Sequence, residues 1–124
     1  MTERMEKILV VDDEPDILRL VEVVLESTRE WAVLCASDGD QALDVARREH
    51  PRVILLDGRM PGGGGVATLE RLRQEPPLRD TPVILMTALA PDGSDKPPPG
   101  FAGIISKPFD PMTLPAQIRA ILQP

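Results

Sequence analysis

The sequence predicts an α/β fold in which helices cover both faces of a doubly wound, five-stranded parallel sheet. Three observations carry this. Five short, almost wholly apolar runs recur along the 124 residues. Stretches with apolar residues at helical spacing separate most of them. The runs also lack the in–out alternation of a half-exposed sheet, as expected of strands buried on both sides. Alternation of strands and helices at such intervals implies right-handed crossovers.

The first run covers residues 8–11 and ends in acid, Asp12-Asp13. Pro15 then stands where a helix tolerates proline, in its first turn. Leu18, Val21, Val24 and Leu25 follow at helical spacing. The second run, 31–36, leads into the turn-forming Ser37-Asp38-Gly39-Asp40. A helix over 41–49 comes next, with Ala42 and Ala46 on one face. The third run, 53–56, again ends in acid at Asp57, and Val66, Leu69 and Leu72 mark a third helix. The fourth run, 83–86, ends at Thr87. The fifth, 102–106, ends at Lys107, and Ile118, Ile121 and Leu122 mark the last helix. Pro115 lacks a backbone donor, so that helix is expected to begin late.

One interval breaks the pattern. Residues 90–100 hold four prolines and two glycines. These suppress a regular helix, and at most one short turn is expected there. The stretch Gly62-Gly63-Gly64-Gly65 reads as a mobile loop beside Asp57, because ordering glycine carries an entropic penalty. A phosphate-cradling reading of these glycines lacks the lysine and hydroxyl of a P-loop. No repeat or linker divides the chain, so residues 1–124 are read as one domain.

Composition narrows the function classes. Twenty acidic side chains against fourteen basic give a formal net charge of −6, with no Lys/Arg cluster. Direct nucleic-acid binding and attachment to an anionic membrane are therefore not expected. Cys35 is the sole cysteine, which rules out an intrachain disulfide. Its apolar surroundings mark it as a small buried hydrophobe rather than a redox group. The charged start has no signal-like apolar segment, and no run is long enough to span a membrane. A cytoplasmic location is expected. His50 reads as a surface residue at a helix end, Trp31 as a seal on the second strand, and Phe109 as packing beneath the Lys107 loop.

Ligands of doubly wound sheets bind beyond the carboxyl ends of the strands. The residues that follow the runs are therefore the candidate site: Asp12, Asp13, Asp57, Thr87 and Lys107. Two carboxylates about 7 Å apart repel by about 2 kcal/mol at an effective dielectric near 20. A hard divalent cation such as Mg²⁺ would offset that, since carboxylates, a backbone carbonyl and water suit it. A carboxylate can also serve as a nucleophile for phosphoryl groups. A cation and an ammonium group would then stabilise the transferring oxygens, and a hydroxyl could donate to one of them. Each residue alone has a plainer reading: Asp13 as a helix cap, Thr87 as a strand end, Lys107 as a solvated charge. Five suitable types at five strand ends favour the shared site.

These motifs resemble those of bacterial response-regulator receiver domains, of the chemotaxis-regulator type. The resemblance runs from Lys7 to Leu122. It rests on Ile8-Leu9-Val10-Val11-Asp12-Asp13-Glu14, on Leu55-Leu56-Asp57-Gly58-Arg59-Met60-Pro61, on Thr87-Ala88 and on Lys107-Pro108-Phe109. It implies a flavodoxin-like sheet of order 2-1-3-4-5 and a role in two-component phosphorelay signalling. Asp57 resembles the phosphoacceptor. Asp12, Asp13, Asp57 and the backbone carbonyl of Arg59 resemble the Mg²⁺ ligands. Thr87, with Ala88, resembles the switch position, and Lys107 the phosphoryl counter-ion, with a cis bond to Pro108. The implied donor is a sensor histidine kinase or a histidine phosphotransfer protein, and the implied output is a downstream protein target. Beyond accepting a phosphoryl group and losing it again, no enzyme activity is implied.

The sequence departs from the family at several points. Ile104 stands where an aromatic switch residue is usual. The span from Thr87 to Lys107 is slightly short and contains the proline-rich interval. Both changes fall on a face that many receivers use for output or dimerisation, so a homodimer is an open expectation and output through a different or a remodelled surface is expected. Arg59 places a side chain near the site entrance, where it either approaches the phosphoryl group or a partner acid or is solvated, the solvated reading being slightly favoured. Two other functions compete with the switch. One is a phosphorylation-independent binding module, favoured by the altered face. The other is a Mg²⁺-dependent aspartyl phosphatase, disfavoured because Glu14, two after Asp12, stands where the second aspartate is usual.

Overall fold

The five apolar runs are the five strands of one parallel sheet in the computed structural model, which describes residues 6–59, 64–88 and 97–123. The strands are β1 (Glu6–Val11), β2 (Trp31–Ala36), β3 (Val53–Asp57), β4 (Val83–Thr87) and β5 (Gly103–Ser106). Their order is β2-β1-β3-β4-β5, as the resemblance implied, and all neighbours are parallel. The helices are α1 (Pro15–Ser27), α2 (Gly39–Glu49), α3 (Gly64–Arg73) and α4 (Leu114–Leu122). A short 3₁₀ turn, Pro76–Leu78, was not foreseen.

Side-chain alternation along the central strands explains the two-faced winding. Leu9, Val11, Ile54, Leu56, Val83 and Leu85 point to one face and pack against Ala42, Leu43 and Ala46 of α2 and Leu69 and Leu72 of α3. Ile8, Val10, Val53, Leu55, Ile84, Met86 and Ile105 point to the other, against Val21 and Leu25 of α1 and Leu114 and Ile118 of α4. Trp31 seals the second cluster as expected and is buried, and Phe109 packs partly against the same cluster.

Helix starts follow local chemistry. Pro15 opens α1. Asp38 caps α2 by accepting a 2.8 Å hydrogen bond from the Gln41 amide, so this helix begins at Gly39, earlier than expected. Pro115 lies in the first turn of α4, which begins at Leu114.

Three expectations need correction. Cys35 is exposed, not buried. It lies on β2, an edge strand paired only with β1, so cover from neighbouring elements is incomplete. Partial burial, with the charges of Glu22 and Glu26, nevertheless pushes its thiol up. Val66 belongs to α3 but lies on its outer side, exposed. Gly64 and Gly65 are not loop residues: they form the first turn of α3. Gly64 has φ +75°, which glycine alone adopts without strain, and the Gly65 amide donates to the Gly58 carbonyl at 3.3 Å. A Cβ on Gly65 would come within 3.2 Å of the Asp57 carbonyl oxygen. The other two glycines, and residues 90–96 of the proline-rich interval, lie outside the described residues.

Candidate functional site

The sheet ladder itself delivers the site. Its hydrogen bonds continue one residue past the strands on which the functional side chains sit. The Asp12 amide donates to the Ala36 carbonyl (3.1 Å), the Gly58 amide to Met86 (2.9 Å) and the Lys107 amide to Thr87 (2.9 Å). Asp12, Asp57, Thr87 and Lys107 are thereby fixed at one edge by backbone geometry. The Lys107–Pro108 peptide bond is cis.

These residues converge. Carboxylate oxygens of Asp12, Asp13 and Asp57 all lie within 4.8 Å of one another. The Lys107 ammonium lies 2.8 Å from Asp12 Oδ2 and 3.3 Å from Asp57 Oδ1. The second Asp12 oxygen, Oδ1, accepts a 2.9 Å hydrogen bond from the Glu14 amide. The Arg59 amide donates to Asp57 Oδ1 at 3.2 Å. A cleft of about 470 Å³ opens over this group, lined by Asp13, Glu14, Asp57, Arg59, Thr87, Ala88 and Lys107.

Burial grades the group. Asp12 is fully enclosed and Asp57 nearly so, whereas Asp13 lies exposed at the mouth. Burial pushes the Asp57 carboxyl above its ordinary range, and the Asp12 charge adds to this. The Arg59 amide and Lys107 pull the other way without cancelling it. Burial alone would lower the Lys107 ammonium. Its hydrogen bonds and charge contacts with Asp12 and Asp57 outweigh that and hold it raised. Lysine is therefore fully charged where it meets the acids.

Three carboxylates held this closely, with one ammonium among them, leave excess negative charge beside an open cleft. The donor set is all oxygen, which suits a hard cation. The same arrangement places a buried carboxylate oxygen of Asp57 at the floor of a cleft that a small anionic group can enter.

Every candidate site residue from the strand ends is in this group. Ile104 is not: it is half-buried in β5 beside Leu85 and packs against the α2–α3 face. Glu14, which the sequence placed in the first motif without giving it a site role, also lines the cleft.

Residues 8–119 match the family model of the response regulator receiver domain. The chain belongs to this family. The receiver is 42% identical over 121 residues to the protein named probable transcriptional regulator ycf27 of Porphyridium aerugineum, covering 95% of this chain and 48% of that one. It is 37% identical over 122 residues to the phosphate regulon transcriptional regulatory protein PhoB of Escherichia coli K12, covering 94% and 52%. The receiver thus spans about half the length of the curated relatives it matches. Among solved structures it is similar to the chemotaxis response regulator CheY4 of Vibrio cholerae, with a TM-score of 0.86, 28% identity, and 95% and 99% of the two chains covered. Membership places the receiver among the signalling domains of two-component systems and not among the phosphatases. Among the described residues, no helix is long and apolar enough to cross a membrane.

Proposed function

We infer that residues 1–124 form one receiver domain that works as a phosphorylation-operated switch, with Asp57 as phosphoacceptor. The observation that carries this reading is the placement of Asp57. Its carboxylate is buried at the floor of the cleft, within 4.8 Å of two further acids and 3.3 Å from Lys107. A plain structural carboxylate would not be gathered with like charges. Asp12, Asp13, Asp57 and the Arg59 carbonyl would hold Mg²⁺. When bound, the ion supplies charge neutralisation for the acids and for the incoming phosphoryl group.

The chain's own groups have separable tasks. Asp57 presents the attacking oxygen, oriented by the Arg59 amide. Lys107, anchored on Asp12, places positive charge where phosphoryl oxygens would lie. Thr87 offers a hydroxyl beside Ala88 at the cleft wall. The donor is a phosphohistidine on a sensor kinase or phosphotransfer protein, and the output passes to a protein partner in the cytoplasm. The net charge of −6 disfavours direct nucleic-acid contact by this domain. Ile104 supports a second reading, a binding module that works without phosphorylation, because isoleucine has no ring to swing between two states.

Incubation with a small acyl-phosphate donor and Mg²⁺, followed by intact-mass measurement, separates the two. A gain of one phosphoryl group, absent in Asp57→Asn, supports the switch. No gain from small donors or from a cognate kinase supports the binding module.

A further inference from the structure

The two borders of the sheet differ. β5 has four residues, and so short an edge gives an approaching strand little to pair with. β2 has six, Trp31-Ala32-Val33-Leu34-Cys35-Ala36, without a charge or a proline among them. Ala32, Val33 and Leu34 are half-buried, and Cys35 is exposed. Native edges are usually blunted by charges, prolines or bulges, because open amides and carbonyls template pairing with another chain. The ladder fixes which groups of β2 are open. The Glu6 amide donates to the Glu30 carbonyl and the Asp12 amide to the Ala36 carbonyl, with unbroken parallel register from Glu6–Trp31 to Val11–Ala36. The even-numbered residues of β2 therefore bond to β1. The backbone groups of Trp31, Val33 and Cys35 face the open side, where they have no partner among the described residues.

Charge selects the direction of an incoming strand. Arg29 stands exposed just before β2, and among the described residues its guanidinium has no ion-pair partner. Asp38 follows β2, with one carboxylate oxygen capping α2. An identical strand running antiparallel about a twofold axis at Val33 sets Val33 opposite the partner's Val33. Trp31 then stands opposite the partner's Cys35, and Arg29 beside the partner's Ser37 and Asp38. Opposite charges meet at both ends of the pairing, whereas a parallel copy would set like charges side by side. In the antiparallel register every open residue falls in a hydrogen-bonded pair, which exchanges both of its backbone bonds. The plainer view is an edge that is simply hydrated.

We propose that the β2 border is a homodimer interface, on which a second copy adds its own β2 antiparallel with Val33 at the twofold axis. The two sheets then run on as one. Each copy contributes the same residues, so the contact closes on itself and does not propagate into a fibre. None of the residues that line the cleft belongs to β2. The interface therefore stands independently of Asp57 as phosphoacceptor.

Sedimentation of the wild-type chain from micromolar to millimolar concentration should show a monomer–dimer equilibrium. Val33→Pro removes an outward donor and leaves the ladder to β1 intact, as an edge position allows. It should weaken the dimer about ten-fold, because both copies lose the central donor. Arg29→Glu should weaken it as well, by less at high salt. A cysteine comparison tests the register. Directly opposed residues of a hydrogen-bonded pair have Cα atoms about 5.5 Å apart. Val33→Cys combined with Cys35→Ser should therefore be joined into a covalent dimer by a one-carbon bis-thiosulfonate. The two native Cys35 side chains would lie about 13 Å apart along the paired strands, so the same reagent should leave wild type unjoined. A monomer at every concentration overturns the proposal and leaves the edge to water or to a strand of another protein. So does a dimer that Val33→Pro does not weaken, or one that the reagent joins through native Cys35. Should the melting of Val33→Pro show that it fails to fold, the cysteine comparison decides alone.

Discussion

Lys107 sits closer to Asp12 than to Asp57: its ammonium lies 2.8 Å from the first and 3.3 Å from the second. Asp12 is the more deeply buried of the two acids. The shorter contact therefore goes to the carboxylate that water reaches least, and Asp57 keeps the looser one. An acceptor group needs that difference, since its oxygen must be free to form a new bond while the lysine stays in place.

Removal of the lysine should expose this dependence. In Lys107→Met, Asp12 remains fully buried and, among the described residues, keeps the Glu14 amide as its hydrogen-bond partner. Breaking a buried ion pair by deleting one member costs about 3 kcal/mol. Urea unfolding in the presence of a chelator should show a loss of that order. Adding Asp12→Asn should restore part of it, because the stranded charge is gone. Additive losses in the double variant would show that the two side chains are not coupled.

Asp57 should make the metal-free receiver less stable as pH rises. Its carboxyl is raised in the folded state, chiefly by burial, above the ordinary value of 3.8. The folded chain therefore holds this proton more tightly than the unfolded chain does. The stabilisation is complete below the ordinary value and is lost as pH climbs through the raised one. Asp57→Asn has no such proton to lose. With a chelator present, its melting temperature at neutral pH should exceed that of wild type. The gap should close toward pH 4. A constant gap across that range would remove Asp57 as its source.

The parts legible in the sequence are those that depend on where apolar runs stop. A parallel strand ends at a sheet edge, so Asp12, Asp57, Thr87 and Lys107 could be placed together from their positions after each run. The apolar pattern does not say which strand lies at the border of the sheet, and Cys35 was misplaced for that reason. Nor does it count backbone partners. The Arg73 guanidinium donates to the carbonyls of Leu78, Thr81 and Gly100, tying α3 to the approaches of β4 and β5. Its acceptors are main-chain atoms from separate segments, which residue type does not mark. The same holds for Gly64 and Gly65, whose need for a bare backbone comes from the Gly58 and Asp57 carbonyls above them.

Gly103 should be intolerant of any side chain. An added Cβ would stand 2.8–2.9 Å from three carbons of Ile121 in α4. The clash involves both γ carbons of that side chain as well as its tip, so rotation alone does not relieve it. Gly103→Val should destabilise the receiver by about 2–3 kcal/mol, as overpacking does. Ile121→Ala in the same chain should recover much of the loss. Chemical denaturation of the single and double variants measures both, and a near-neutral Gly103→Val would mean that α4 moves aside freely.

Magnesium should stabilise the fold through Asp13. Asp13 is exposed at the mouth of the cleft, so Asp13→Asn should have little effect on stability in a chelator. The same residue contributes an oxygen to the cluster within 4.8 Å. A ligand that binds only the folded chain stabilises it by about 1.4 kcal/mol at ten times its dissociation constant. Wild type should therefore gain a few degrees in melting temperature on addition of millimolar Mg²⁺, and Asp13→Asn should gain little. The pairing of conditions separates metal binding from general charge relief. If neutralising one carboxylate were enough, Asp13→Asn would already be the more stable protein without the ion. If Asp13→Asn instead responds to Mg²⁺ as fully as wild type, the ion is held elsewhere, and the three acids are gathered for some other reason.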